Sequence, residues 1–185
     1  MSWLIQFATM GYAVPGSVIA IGILLPLAFF DHAINRWTEA LFGLSPGLLL
    51  SGTLLALFYA YLVRFLAVAF GAVDGGLHRI RPSLDQAARV LGQSPLGVVR
   101  RIHAPLLRGS LLTAAMLIFV DVLKELPATL IVRPFNFDTL AVRVYHLASD
   151  ERLSEASTGA LIIVAVSLIP VIWLHAAVAR SRPGG

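Results

Sequence analysis

The chain has 185 residues, 58% of them hydrophobic and 13% charged, with a mean hydropathy of +0.84. A soluble domain of this length cannot cover its surface with so few charges, so a membrane protein is expected. There is no cysteine, which excludes disulfide frameworks, thiolate metal sites and a cysteine nucleophile. The net charge of +4 is not a nucleic-acid signature, because the basic residues cluster at membrane boundaries. No Lys or Arg precedes Arg36, so the basic region of a cleavable signal peptide is missing.

Four apolar stretches approach the length that crosses a bilayer as helix. They are Val14–Phe30, Leu48–Phe70, Ser110–Leu126 and Thr158–Ala179. Uncharged residues Trp3–Ala13 extend the first stretch toward the N-terminus, and Pro15–Gly16 predicts a break or kink in it. The predicted fold class is an all-α membrane protein with about four transmembrane helices. Between the second and third stretches, Arg79, Arg81, Arg89, Arg100, Arg101 and Arg108 face only Asp74 and Asp85. The other two connections are balanced or acidic. The positive-inside rule therefore puts Gly71–Arg108 in the cytoplasm, with both termini on that side.

The basic connection is patterned too well for a slack loop. Ser83 and Gln86 have capping-box spacing, and Leu84, Ala87, Ala88 and Leu91 fall at i, i+3, i+4 and i+7. Gly92 suits the left-handed position that ends a helix. Ser94–Pro95 supplies the N-cap and first residue of a second helix, which carries Val98, Val99 and Ile102 and is expected to stop before Pro105. Two short helices joined by a glycine turn follow. They suit either packing on the ends of the chain's own spans or docking into a groove on a cytoplasmic partner.

The pattern Gln86-Ala87-Ala88, three residues, Gly92, nine residues, Ile102-x-x-Pro105 resembles the "EAA" loop of ATP-binding-cassette (ABC) importer permeases. That loop reads E-A-A, three residues, G, nine residues, I-x-L-P. Gln86 stands where Glu is usual, and Ala104 where Leu is usual. Gly11-Tyr-Ala-Val-Pro-Gly16, Asp121-Val-Leu-Lys-Glu-Leu-Pro-Ala-Thr129, Arg133-Pro-Phe-Asn-Phe-Asp-Thr139 and Arg143-Val-Tyr-His-Leu-Ala-Ser-Asp-Glu-Arg152 look like the ferric-iron branch of these permeases.

The resemblance implies a type I importer permease core in a bacterial inner membrane, with Gln86, Ala87, Ala88, Leu91, Gly92, Ile102 and Pro105 in an ATPase-coupling element. It implies three protein partners: a cytoplasmic ABC ATPase dimer, a second permease half and an extracytoplasmic binding protein. Membrane lipid surrounds the chain, and no nucleic acid is implied. No cofactor is expected in this chain, and ATP belongs to the partner ATPase. Thiamine, phosphonate and polyamine are alternative cargoes to ferric iron. Permease cores of this type have at least five spans, so one or more upstream helices are expected to be missing here. An inactive or assembly-only membrane fragment is the competing reading.

Asp121, Lys124 and Glu125 lie near the end of the third stretch, where ionisable groups mark a functional site by default. Asp121 and Lys124 can pair at i,i+3, and one acid is expected to face the translocation path near an outer gate, with Pro127 ending the helix just beyond. Arg64 reads as a boundary anchor that snorkels to the cytoplasmic side. His146 and Asp150 share a helical face, but two ligands do not make a metal site. His103 reads as a surface or packing residue. The chain has no phosphate-cradling G-x-x-x-x-G-K-[ST], no H-E-x-x-H and no G-x-S-x-G, so it is read as a transporter subunit and not as an enzyme.

Overall fold

The computed structural model describes residues 10–181. All regular structure among the described residues is helical: α1 (Gly16–Phe42), α2 (Leu54–Leu77), α3 (Pro82–Val90), α4 (Pro95–Leu123), α5 (Pro127–Val132), α6 (Leu140–Ser149) and α7 (Leu153–Ser181). Helices α1, α2, α4 and α7 are each long and apolar enough to cross a membrane. The fold is that of an all-α, multi-pass membrane protein.

Helices α1 and α2 run antiparallel. Helix α1 continues through Phe42, well past the apolar stretch that ends at Phe30, because its polar last turns hold the following loop. The buried carboxylate of Asp31 accepts the backbone N–H groups of Leu49 (3.0 Å), Leu50 (2.8 Å) and Ser51 (2.7 Å), together with the Ser51 hydroxyl. One turn further on, Asn35 brackets Gly47, accepting its N–H at 2.9 Å and donating to its carbonyl at 2.7 Å. Thr53 then caps α2 by accepting from the Ala56 N–H.

The basic connection folds as an elbow. Helix α3 starts at Pro82 with Arg81 as its N-cap, so Ser83 is not the cap and the expected Ser83–Gln86 capping box does not form. Proline has no N–H to satisfy and a preset φ, which starts the helix two residues earlier than expected. At the other end the Gln93 N–H reaches the Ala88 carbonyl and the Gly92 N–H reaches Arg89, both at 3.0 Å. Together these bonds form a Schellman ending. Gly92 has φ +73°, which a side chain would strain. Ser94 accepts the Gly97 N–H at 3.2 Å and caps α4.

Helix α4 does not stop before Pro105 as expected. It passes through a π turn at Val99–His103, where the Ala104 N–H bonds to the Val99 carbonyl, and runs on to Leu123. Pro105 has no N–H to give the carbonyl one turn back, and the wider turn absorbs that loss without breaking the helix.

Pro127 opens α5 and does not close the crossing. A proline is tolerated in a first helical turn, so the chain breaks at Lys124–Leu126 and then resumes. The buried core lies where α5 meets α1 and α2, built from Ile19, Ala20, Ile23, Ala56, Leu57, Ala60, Ala128 and Val132. Alanines at 56 and 60 let the helices approach closely. Helix α6 folds back on the start of α7, and α7 leans on α4. Along α7, Leu161, Val164, Leu168 and Ile172 stay exposed, as positions facing lipid or a neighbouring chain.

Candidate functional site

Two non-helical segments pack against the same point of α2. The expected break before α1 is a turn at Gly11–Ala13 that leads to Pro15, and the second break is Lys124–Leu126. Both meet α2 at Arg64, which lies near the middle of that 24-residue helix, about 15–20 Å from either end. Non-helical backbone at membrane depth persists only where protein or a water-filled path satisfies its polar groups.

Arg64 satisfies both breaks. Its Nε donates to Glu125 Oε2 at 2.9 Å, and its guanidinium donates to the Val14 carbonyl at 3.2 Å. The other Glu125 oxygen accepts the Ala128 N–H at 3.2 Å and so caps α5. The Thr129 hydroxyl returns to the Glu125 carbonyl at 2.8 Å, and Tyr61 meets that hydroxyl at 2.7 Å. Gly16 closes the junction: a Cβ there would stand 2.8 Å from Glu125 Oε1 and 3.1 Å from the Arg64 guanidinium.

Arg64 is therefore not the boundary anchor expected from its position. Its guanidinium is turned inward to Glu125 and the Val14 carbonyl, as a charge inside a helix bundle needs a partner. A charged residue in mid-span was the available sequence signal, but its partner lies far along the chain.

Asp121, Lys124 and Glu125 do come together at this junction, in two separate pairs. Glu125 faces inward to Arg64 with its side chain 6% exposed. Asp121 pairs with Lys124 at 3.1 Å and accepts the Tyr12 hydroxyl at 3.3 Å. The Lys124 side chain is 64% exposed and that of Asp121 19%. The cluster lies beside the middle of α2 because α5 carries the crossing further. Tyr12 is a member of this site that sequence reasoning missed, since nothing in its spacing ties it to Asp121.

The elbow is the second element. Ala88 is buried inside the chain, while Gln86 and Ala87 are exposed. Val90, Leu91 and Leu96 are 87%, 78% and 66% exposed, forming an apolar knob at the tip. Ile102 is half-buried within the π turn, and Pro105 is exposed. His103 Nε2 lies 2.7 Å from Asp85, and Arg101 donates to Gln93 at 3.1 Å, so one polar tie braces α3 and another the following turn against α4. His103 was read as a surface or packing residue, because its partner lies across the turn.

Among the described residues, no group of three His, Cys, Asp or Glu side chains is arranged to hold a metal ion. Asp150 gives its backbone N–H to the His146 carbonyl at the end of α6.

The chain is similar to permease proteins over most of its length. The Fe(3+)-transport system permease protein FbpB 2 of Haemophilus influenzae is 27% identical over 172 residues, covering 93% of this chain and 31% of that protein. A protein of Salmonella typhimurium named for 2-aminoethylphosphonate transport, the permease PhnV, is 26% identical over 94% of this chain and 59% of its own length. The likeness is thus to permease proteins of transport systems. A molybdenum ABC transporter permease protein of Haloferax volcanii is 30% identical over 69% of this chain and 45% of its own. The chain thus spans 31% and 59% of the length of the first two relatives. No protein-family model matches it. Its likeness to permeases of the ferric type runs through both the elbow and the junction.

Proposed function

We propose that the chain is a transmembrane permease subunit of an ATP-driven importer, and that the elbow at residues 83–105 couples closure of an ATPase dimer to alternating access. One observation carries this reading. The exposed knob of Val90, Leu91 and Leu96 is joined by an unbroken helix, α4, to the break at Lys124–Leu126. A helix of 29 residues is a lever about 43 Å long. A push on its cytoplasmic end reaches the middle of the membrane with little lost in hinges.

In this reading Gln86, Ala87, Leu91 and the Gly92 turn present the knob, while Ala88, Ile102 and Pro105 keep the elbow's shape. The junction of Asp121, Lys124 and Glu125 lies on or beside the translocation path. The partners are a cytoplasmic ABC ATPase dimer, a second permease half and an extracytoplasmic binding protein. Both termini face the cytoplasm of a bacterial inner membrane, as the arginines of the elbow imply. Ferric iron is the proposed cargo, supported by the name of the Haemophilus relative and the ferric-type motifs from Asp121 to Arg152.

The test is co-purification of the ATPase subunit with the permease. Leu91→Asp places a charge in an apolar contact and is expected to abolish association while leaving the permease in the membrane. Undiminished association would refute the docking role.

A further inference from the structure

Resting on the pathway reading above, we infer that cargo passing the mid-membrane junction presents anionic oxygen atoms to Lys124, which makes this lysine a specificity-determining residue. Four charged side chains meet at the two breaks, and their exposures differ sharply. Glu125, Arg64 and Asp121 are 6%, 18% and 19% exposed, whereas Lys124 is 64% exposed.

All four carboxylate oxygens there are already engaged. Glu125 holds Arg64 with one oxygen and the Ala128 N–H with the other. Asp121 holds Lys124 with one and the Tyr12 hydroxyl with the other. A hard cation needs several oxygen ligands at once, and each carboxylate oxygen here already carries a cation or an N–H or O–H donor. The lysine ammonium has three donors, and Asp121 takes one of them.

The position of Lys124 adds a second constraint. It adjoins Glu125, whose carboxylate meets Arg64 midway along α2. An ammonium so exposed on the chain at that depth cannot face hydrocarbon, and faces a polar cavity or a neighbouring chain instead. A polar cavity at mid-depth between broken helices is where transporters place their cargo. The junction therefore offers donors to an oxyanion. A phosphonate, a metal oxyanion, or a ferric ion carried with bound oxyanions all share that chemistry.

The test is uptake by the complete transporter in proteoliposomes, using three probes: 2-aminoethylphosphonate, molybdate, and ferric ion with and without added phosphate. The wild type is expected to take up at least one of them, and ferric ion only when phosphate is present. Lys124→Ala is expected to lower uptake of that probe about tenfold or more, the loss of one charge-assisted contact. Lys124→Arg is expected to retain it. Asp121→Asn, which frees the ammonium, is expected to raise it. Assembly of each variant is checked by co-elution with the ATPase. Full uptake by Lys124→Ala together with loss in Asp121→Asn, or ferric uptake indifferent to phosphate, would overturn the inference and point to a cation path. A wild type that moves none of the probes, yet whose ATP hydrolysis still responds to the binding protein, would overturn this inference and leave the importer reading standing.

Discussion

Arg64 and Glu125 form an ion pair at 2.9 Å, and the same guanidinium also holds the Val14 carbonyl just before α1. Removing one partner leaves an uncompensated buried charge, at a cost of about 3–5 kcal/mol. Arg64→Ala and Glu125→Ala are therefore each expected to lower unfolding stability in detergent by roughly that amount. The double variant is expected to lose less than the sum, because neither charge is left alone. Strictly additive losses would show that the pair is not coupled.

Gly16 gives an independent handle on the same junction. Its absent Cβ leaves 2.8 Å to the Glu125 carboxylate, so Gly16→Ala must push the pair apart. Overpacking of this kind costs about 1–3 kcal/mol. Uptake is expected to fall along with stability. An alanine variant of unchanged melting temperature and activity would mean that the close approach is not required.

Asp31 is expected to matter only for stability. Its carboxylate serves three backbone N–H groups and a hydroxyl at the start of α2. Asp31→Ala strands those donors, each worth about 1–3 kcal/mol when buried. Partial relaxation toward water makes a total loss of about 3 kcal/mol the expected outcome. Thermal unfolding of the purified variant measures it, and a loss below half a unit would contradict the clamp.

The glycine turn of the elbow should be sensitive for a different reason. No neighbouring atom crowds Gly92, but its φ of +73° disfavours any side chain. Gly92→Ala is expected to cost about 1–2 kcal/mol in the Schellman turn. Faster hydrogen exchange at Gln93 and weaker ATPase association are expected together. Fast exchange with intact association would separate the turn from docking.

The spans were legible because length and hydropathy are local quantities, and the Gly92 turn and Ser94 cap because they depend on residues next to one another. The α3 start and the passage through Pro105 were misplaced by neighbouring prolines, whose effect depends on whether the helix can shift its frame. The role of Arg64 was hidden because its partners, Val14 and Glu125, lie on two other elements. The same holds for Tyr12 with Asp121 and for Asp85 with His103. A charge in mid-span announces that a partner exists, but only the packing of α1, α2 and α5 names it.

ATP-driven accumulation by proteoliposomes tests the importer reading most directly. The vesicles would contain this permease with its second permease half and ATPase, and the binding protein would be supplied outside. Cargo is expected to accumulate only when hydrolysable ATP reaches the elbow side, and not at all with Leu91→Asp. Accumulation that ignores ATP, or that survives loss of the elbow's knob, would contradict the reading of this chain as the driven half of an importer.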